Sequence, residues 1–330
     1  MMAINKAEVM SMYRLMMAAM LLLLLSSCGG QSAKPPQIVA FYPQDGYHGF
    51  KRGESIAISF SEPMDAAATE AAFQLLNANG APVAVNFTWE DDGRRMLVAP
   101  TDPIAYSLND QYLNYRYLLS TGAKSQKGVA LENGLDVTFS TMRTLTAVRD
   151  SVAALDGSVS DLGFVSNDPS DTSACPVAPT GDSVGNRGVR SFFAFDLDGL
   201  GFGAEEVAYA RVNLYNVRLD GDPFGPGNLG NIIPELVDYL DNGALDKDDY
   251  VLTGEKTLDP IVSWSDGETV VLTVTDWLQQ VLTESKKYLQ LRLRFEQRTD
   301  GDTAADAVNI ATGEDTAGHQ PRLEIGYYAP

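Results

Sequence analysis

YLQLRLRFE, residues 288–296, alternates without a break. Leu289, Leu291, Leu293 and Phe295 fall on one side, and Gln290, Arg292 and Arg294 on the other. A period of two is the pattern of a strand with one face in a core and the other turned outward. The stretch therefore predicts β structure with a polar outer face. The same pattern recurs on both sides of it. SIAISF puts Ile56, Ile58 and Phe60 together, and VAVNFTW does so with Val83, Val85, Phe87 and Trp89. YLNYRYLL aligns Leu113, Tyr115, Tyr117 and Leu119, and LDVTF aligns Leu135, Val137 and Phe139. Further on, VAYARVNLYNV places Ala208, Ala210, Val212 and Leu214 on one face, and RSFFAFDL and RLEIGY add two more strands. Many short strands divided by Gly, Pro, Asn and Asp predict an all-β chain of packed sandwiches.

Two segments break the period. TDWLQQVLTESKK groups Trp277, Leu278, Val281 and Leu282 at helical spacing, with Thr275 or Asp276 as the expected N-cap. Asp65 can likewise cap a short turn of helix running to Phe73. The second half is thus expected to be a sandwich carrying one short amphipathic helix.

The chain has 330 residues, 44 acidic and 24 basic side chains, and a net charge of −20. Residues 37–142 hold 12 acidic and 7 basic groups, a net of −5, whereas residues 151–330 hold 30 and 12, a net of −18. Such a surface repels nucleic acid and anionic lipid. It suits neutral glycans, divalent cations, or solubility alone. Two cysteines, Cys28 and Cys175, give no disulfide framework.

At the start, Leu15 to Leu25 is an apolar run of eleven residues preceded by Lys6 and Arg14. It is too short to span a bilayer, which takes about 18–20 residues, and it fits the core of a signal peptide. Leu25-Ser26-Ser27-Cys28 resembles the lipobox of bacterial lipoproteins. That resemblance implies cleavage before Cys28, a diacylglycerol thioether on its sulfur, and fatty-acyl (palmitate-type) anchoring in a membrane. Gly rather than Asp at position 29 points, by analogy with lipoproteins of two-membrane bacteria, to the outer membrane of the cell envelope. Residues 1–27 are then the signal peptide and 28–36 a tether.

Two further resemblances divide the remainder. YPQDG, ISFSEPMD, AFQLLNANG, a Trp-containing strand and a closing VTFST, over residues 37–142, resemble the bacterial Ig-like domain of S-layer-type surface proteins. This implies a spacer or stackable module. After a connector at 143–150, RSFFAFDLDGL, EVAYARVNLYNV, VVLTVTDWLQQVL, LQLRLRF and PRLEIGYY, over residues 151–330, resemble the jelly-roll domain of the DNRLRE and disaggregatase-related type. This implies a module similar to carbohydrate-binding ones.

Zinc-hydrolase and P-loop motifs are missing. His48 and His319 are the only histidines and lie in different halves, which leaves no zinc-hydrolase cluster. HExxH, CxxC and the P-loop are absent. The expectation is a non-catalytic envelope protein that requires no cofactor. For a polysaccharide partner, Trp264, Tyr209 and Tyr215 are candidate stacking groups, with Arg292 and Arg294 beside them on the outer face of their strand. The alternative is a scaffold subunit that binds protein. One loop, DYLDNGALDKDDY, offers Asp238, Asp241, Asp246, Asp248 and Asp249 to a structural calcium ion. It is not an EF-hand: with Gly243 as the loop glycine, the third ligand position falls on Leu240.

Overall fold

The computed structural model describes residues 34–166, 176–240 and 243–330. The signal segment, Cys28, Cys175 and Asp241 lie outside the described residues. The chain divides into two units, one holding residues 34–105 and 114–141, the other 106–113 and everything from Met142 onward.

In the first unit the strands are β1 (Ile38–Tyr42), β2 (Tyr47–Phe50), β3 (Ile56–Phe60), β4 (Phe73–Leu76), β5 (Val85–Glu90), β6 (Arg95–Pro100), β7 (Asn114–Leu119) and β8 (Leu135–Thr141). They form two four-stranded sheets, ordered β1-β3-β6-β5 and β2-β8-β7-β4. Ile56, Ile58 and Phe60 in the first sheet and Tyr115, Tyr117, Val137 and Phe139 in the second are all buried, as period-two alternation demands. Helix α1 (Ala66–Ala71) is capped as expected: Asp65 Oδ1 accepts from the Ala68 amide at 2.9 Å.

The second unit holds twelve strands in one sheet that curls on itself. They are β9 (Arg143–Asp150), β10 (Gly157–Ser160), β11 (Val165–Ser166), β12 (Val177–Ser183), β13 (Arg187–Asp196), β14 (Val207–Asp220), β15 (Ile232–Leu236), β16 (Lys256–Thr257), β17 (Thr269–Thr273), β18 (Tyr288–Phe295), β19 (Asp306–Ala311) and β20 (Arg322–Ala329). The curl is made by β14. Its first part pairs with β17 and β20; from Asn216 onward it pairs with β19, with a register shift between Asn216 and Arg218. A strand that changes partners at a bulge turns a corner of a sandwich. Asn216, buried there, donates through Nδ2 to the carbonyls of Trp264 and Ser265 at 3.3 and 3.0 Å.

The core lies between the layer holding β17, β14 and β20 and the layer holding β13 and β18. Ala210, Val212, Leu214, Leu272, Leu323 and Ile325 meet Phe193, Phe195, Leu289, Leu291 and Leu293. Helix α2 (Thr275–Thr283) adds Trp277, Leu278 and Val281 to this core. Its N-cap position is Val274, without a side-chain cap. Thr275 Oγ1 instead accepts from the Ala210 amide at 3.0 Å, which ties the helix to β14.

Two expectations are corrected. Residues 143–150 are not a linker but β9, paired along its whole length with β20. The second concerns β18, where the alternation is as expected but the outer face does not meet water. Gln290 and Arg292 are buried, because the segment from Val237 to Leu252 folds over that face. It builds a second, smaller core from Phe192, Ala194, Val237, Tyr239, Leu245 and Tyr250.

Candidate functional site

The polar side chains of β18 hold this covering segment in place. Gln290 Oε1 accepts from the amides of Tyr239 and Leu240 at 2.9 and 3.0 Å, and its Nε2 donates to Asp238 Oδ1 at 3.0 Å. Arg292 is 2% exposed and stands directly across from Glu235 on β15. Its Nε donates to Glu235 Oε2 at 2.8 Å, its Nη2 reaches the same oxygen, and its Nη1 donates to the Leu252 carbonyl at 2.8 Å. Arg294 donates through Nε to Glu235 Oε1 at 3.0 Å. A buried guanidinium with a carboxylate and backbone carbonyls is a packing device. Arg292 is thus removed from the ligand-binding candidates, and Arg294 is half-buried and engaged. Trp264 is removed too: it is 1% exposed, in the core, with Nε1 donating to the Glu268 carbonyl at 3.0 Å.

Tyr209 and Tyr215 are placed differently. Both project from β14 on the side away from the core, together with Arg211 and Asn213 between them. Register brings the neighbouring strands into line: Arg211 opposes Glu324 and Thr273, and Asn213 opposes Arg322 and Val271. Tyr209 lies over Gly326, where a Cβ would stand only 2.1 Å from ring atom Cε1. Only glycine leaves room for that ring. The Tyr209 hydroxyl donates to Glu324 Oε1 at 3.0 Å, and the Arg211 guanidinium sits 4.8 Å from the ring centroid. Tyr215 stacks on His319, with centroids 3.9 Å apart and planes 6° from parallel. Beside them is a cavity of about 150 Å³ lined by Asn213, Tyr215, Thr269, His319, Gln320 and Arg322. His319 Nδ1 is 3.4 Å from Asp315 Oδ2. Sequence reasoning missed Gly326, His319 and Arg322. Alternation does put Tyr209 and Tyr215 on one face, but only the strand register reveals what lies opposite.

The acidic loop does not gather its carboxylates. Asp246 Oδ1 accepts from the Asp248 amide at 2.7 Å, and Asp249 Oδ2 from the Asp246 amide at 2.6 Å, a reciprocal cap on a short 3-10 turn. Asp248 pairs with Lys247, and Asp238 lies 3.5 Å from Lys286 Nζ. Among the described residues, the carboxylates that converge are Asp300, Asp302 and Asp306, with oxygens within 4.8 Å of one another.

No helix among the described residues is long and apolar enough to cross a membrane. No curated protein sequence matches the chain. The solved structures similar to it include PcoC, a methionine-rich copper resistance protein from Escherichia coli. That match has 19% identity and a TM-score of 0.26, and it covers 33% of this chain and 99% of that one. CopC from Methylosinus trichosporium OB3b is similar at 14% identity and a TM-score of 0.25, over 33% of this chain and 94% of that one. The N-terminal part of the bacterial S-layer protein SbsC also matches, at 14% identity and a TM-score of 0.25, covering 51% and 42% of the two chains. These likenesses carry no argument about function. Residues 32–141 match the family model of the bacterial Ig-like domain, and that segment of the chain is a domain of this kind.

Proposed function

We propose that the protein is an exported, lipid-anchored, non-catalytic component of the cell envelope whose second unit binds polysaccharide across the outer face of the β17-β14-β20-β9 layer. One observation carries the reading: Tyr209 and Tyr215 stand on the same face of one strand, with hydrogen-bonding side chains between and beside them. Six residues of strand separate the two rings by about 20 Å, long enough for several sugar rings laid along β14. Pyranose faces stack on aromatic rings, while Arg211, Asn213, Arg322 and Glu324 supply donors and acceptors for hydroxyl groups. The Ig-like domain serves as the spacer between this unit and a membrane. The apolar run before Cys28, with its basic flank and the small residues after it, supports export and lipid attachment at that cysteine, with Gly29 favouring the outer membrane.

A scaffold role is the second reading. Val148 and Val271, 45% and 53% exposed on the same face, would suit a protein partner better than a sugar. A glycan array probed with the chain lacking its first 28 residues separates the two. The polysaccharide reading requires at least one retained glycan class, with retention lost in Tyr209→Ala and Tyr215→Ala. Retention indifferent to both substitutions, or no retention anywhere, overturns it. Mass spectrometry of the mature N-terminus tests the anchor, and an unmodified Cys28 refutes it.

A further inference from the structure

The loop from β18 to β19 reads TDGDTAAD, residues 299–306, and its three carboxylates fold back on each other. Asp300 Oδ1 accepts from the Asp302 amide at 3.0 Å, and Asp302 Oδ1 from the Ala304 amide at 2.6 Å. Asp306 opens β19 and is 4% exposed. Among the described residues, no Lys or Arg pairs with any of the three. Like charges at this separation repel, so the cluster costs free energy as it stands.

A second observation points the same way. Asp182 on β12 is the direct cross-strand partner of Asp306. Directly opposed residues of an antiparallel pair project from the same face with Cβ atoms about 4.5–5.5 Å apart, which sets the Asp182 carboxylate beside that of Asp306. Asp182 is 1% exposed; its Oδ1 accepts from the Asp306 amide at 3.1 Å, and its Oδ2 meets no donor among the described residues. A buried carboxylate oxygen without a donor, next to another carboxylate, is a strong penalty unless a cation neutralises it. Gly221, at φ +65°, lets the Asp306 carboxylate lie close against the chain, where its Oδ1 accepts from the Asp222 amide at 2.5 Å. A Cβ there would stand 2.2 Å from Asp306 Oδ1 and 2.5 Å from the Ala305 carbonyl oxygen.

We propose that Asp300, Asp302 and Asp306, backed by the buried Asp182, bind one calcium ion that fastens the β18–β19 loop to β12. The donors are oxygens only, with no histidine or cysteine among them, which selects a hard cation over zinc. Calcium takes six to eight oxygens in flexible geometry and accepts carboxylates, carbonyls and water together, as a loop of this kind supplies them. This site lies apart from the Tyr209–Tyr215 face and does not rest on polysaccharide binding.

The test uses the chain from residue 29 onward, stripped with EDTA and titrated with calcium chloride in a calorimeter. One equivalent binds, and calcium at about 100 times its Kd raises Tm by about 5–10 °C. Asp300→Asn with Asp302→Asn lowers the affinity about tenfold or more. Both positions are at least partly exposed, so this variant keeps its fold, as circular dichroism will verify. Asp246→Asn with Asp248→Asn binds as the parent does. The proposal is overturned by an absence of binding heat together with a Tm unchanged within about 1 °C between EDTA and millimolar calcium. It is equally overturned by binding that survives the first pair of substitutions, or by binding that the second pair abolishes.

Discussion

Replacing Glu235 with alanine leaves the Arg292 guanidinium buried without its counter-ion. Glu235 is 5% exposed and receives Arg292 on one oxygen and Arg294 on the other. Arg294 is partly solvated, so its arm contributes at most about 1 kcal/mol. Arg292 has no water to turn to, and removing one partner of a buried pair costs about 3–5 kcal/mol. In a unit of this size each kcal/mol moves Tm by about 2–4 °C, so the expected fall is about 6–20 °C. The substitution Glu235→Leu with Arg292→Met removes both charges and should recover much of the loss. It does not recover all of it, because the Leu252 carbonyl is left without its donor, at about 1–3 kcal/mol. Unfolding is followed by tryptophan fluorescence in a Trp89→Phe background, so that the signal comes from Trp264 and Trp277, both in the core of the second unit. A loss below about 1 kcal/mol for Glu235→Ala would refute the reasoning, since it would mean that Arg292 is hydrated and the covering segment open in solution.

Three other outcomes follow from local geometry. Burial pushes the Asp156 carboxyl up to about 8, against the opposing hydrogen bonds from Ser151, Gly313 and Ala194. With its folded pKa above the unfolded one, its contribution is fully present below about pH 4 and lost as pH rises towards 8. The urea midpoint of the parent relative to that of Asp156→Asn should therefore fall between pH 5 and 8, and a difference that is flat or rising sinks the assignment. Asp65→Ala should cost the first unit about 1 kcal/mol through loss of the α1 cap, with Asp65→Ser nearly neutral; equal stabilities of all three proteins in urea would contradict this. Gly326→Ala should drive Tyr209 off its seat and destabilise the second unit by about 1–3 kcal/mol. Gly201→Ala, where nothing stands within 4 Å, is the control, and equal stability of the two variants would show that the ring does not rest on Gly326.

The strands were legible in the sequence because burying one face of a sheet imposes a period of two on the chain, and Leu289, Leu291 and Leu293 obey it. What lies on the other face is a different matter. Gln290 and Arg292 would read the same whether they met water or a second layer of protein, since an arginine with a carboxylate partner can occupy either. The covering layer comes from residues 237–252, about fifty positions away, and no local pattern announces it. The same limit hid β9, whose partner β20 is the last strand of the chain, and Gly326, whose role depends on the register of β20 against β14.

Acidity shows the limit most plainly. From sequence, the Asp cluster at 238–249 is the richer of the two acidic loops and the natural place to look for a cation. In the structure its described carboxylates already have donors: Gln290 and Lys286 for Asp238, the Asp248 amide for Asp246, Lys247 for Asp248, and the Asp246 amide for Asp249. Those bonds cap a turn and fix a segment, which is work that needs no metal. The smaller cluster at 300–306 differs in what its neighbours lack. Strand pairing brings Asp182, 124 positions away from Asp306, against it with an oxygen that no donor among the described residues reaches. A count of carboxylates therefore ranks the two loops in one order, and the supply of positive partners ranks them in the other. The second ranking follows from electrostatics, because a carboxylate attracts a cation to the extent that its charge is left unanswered.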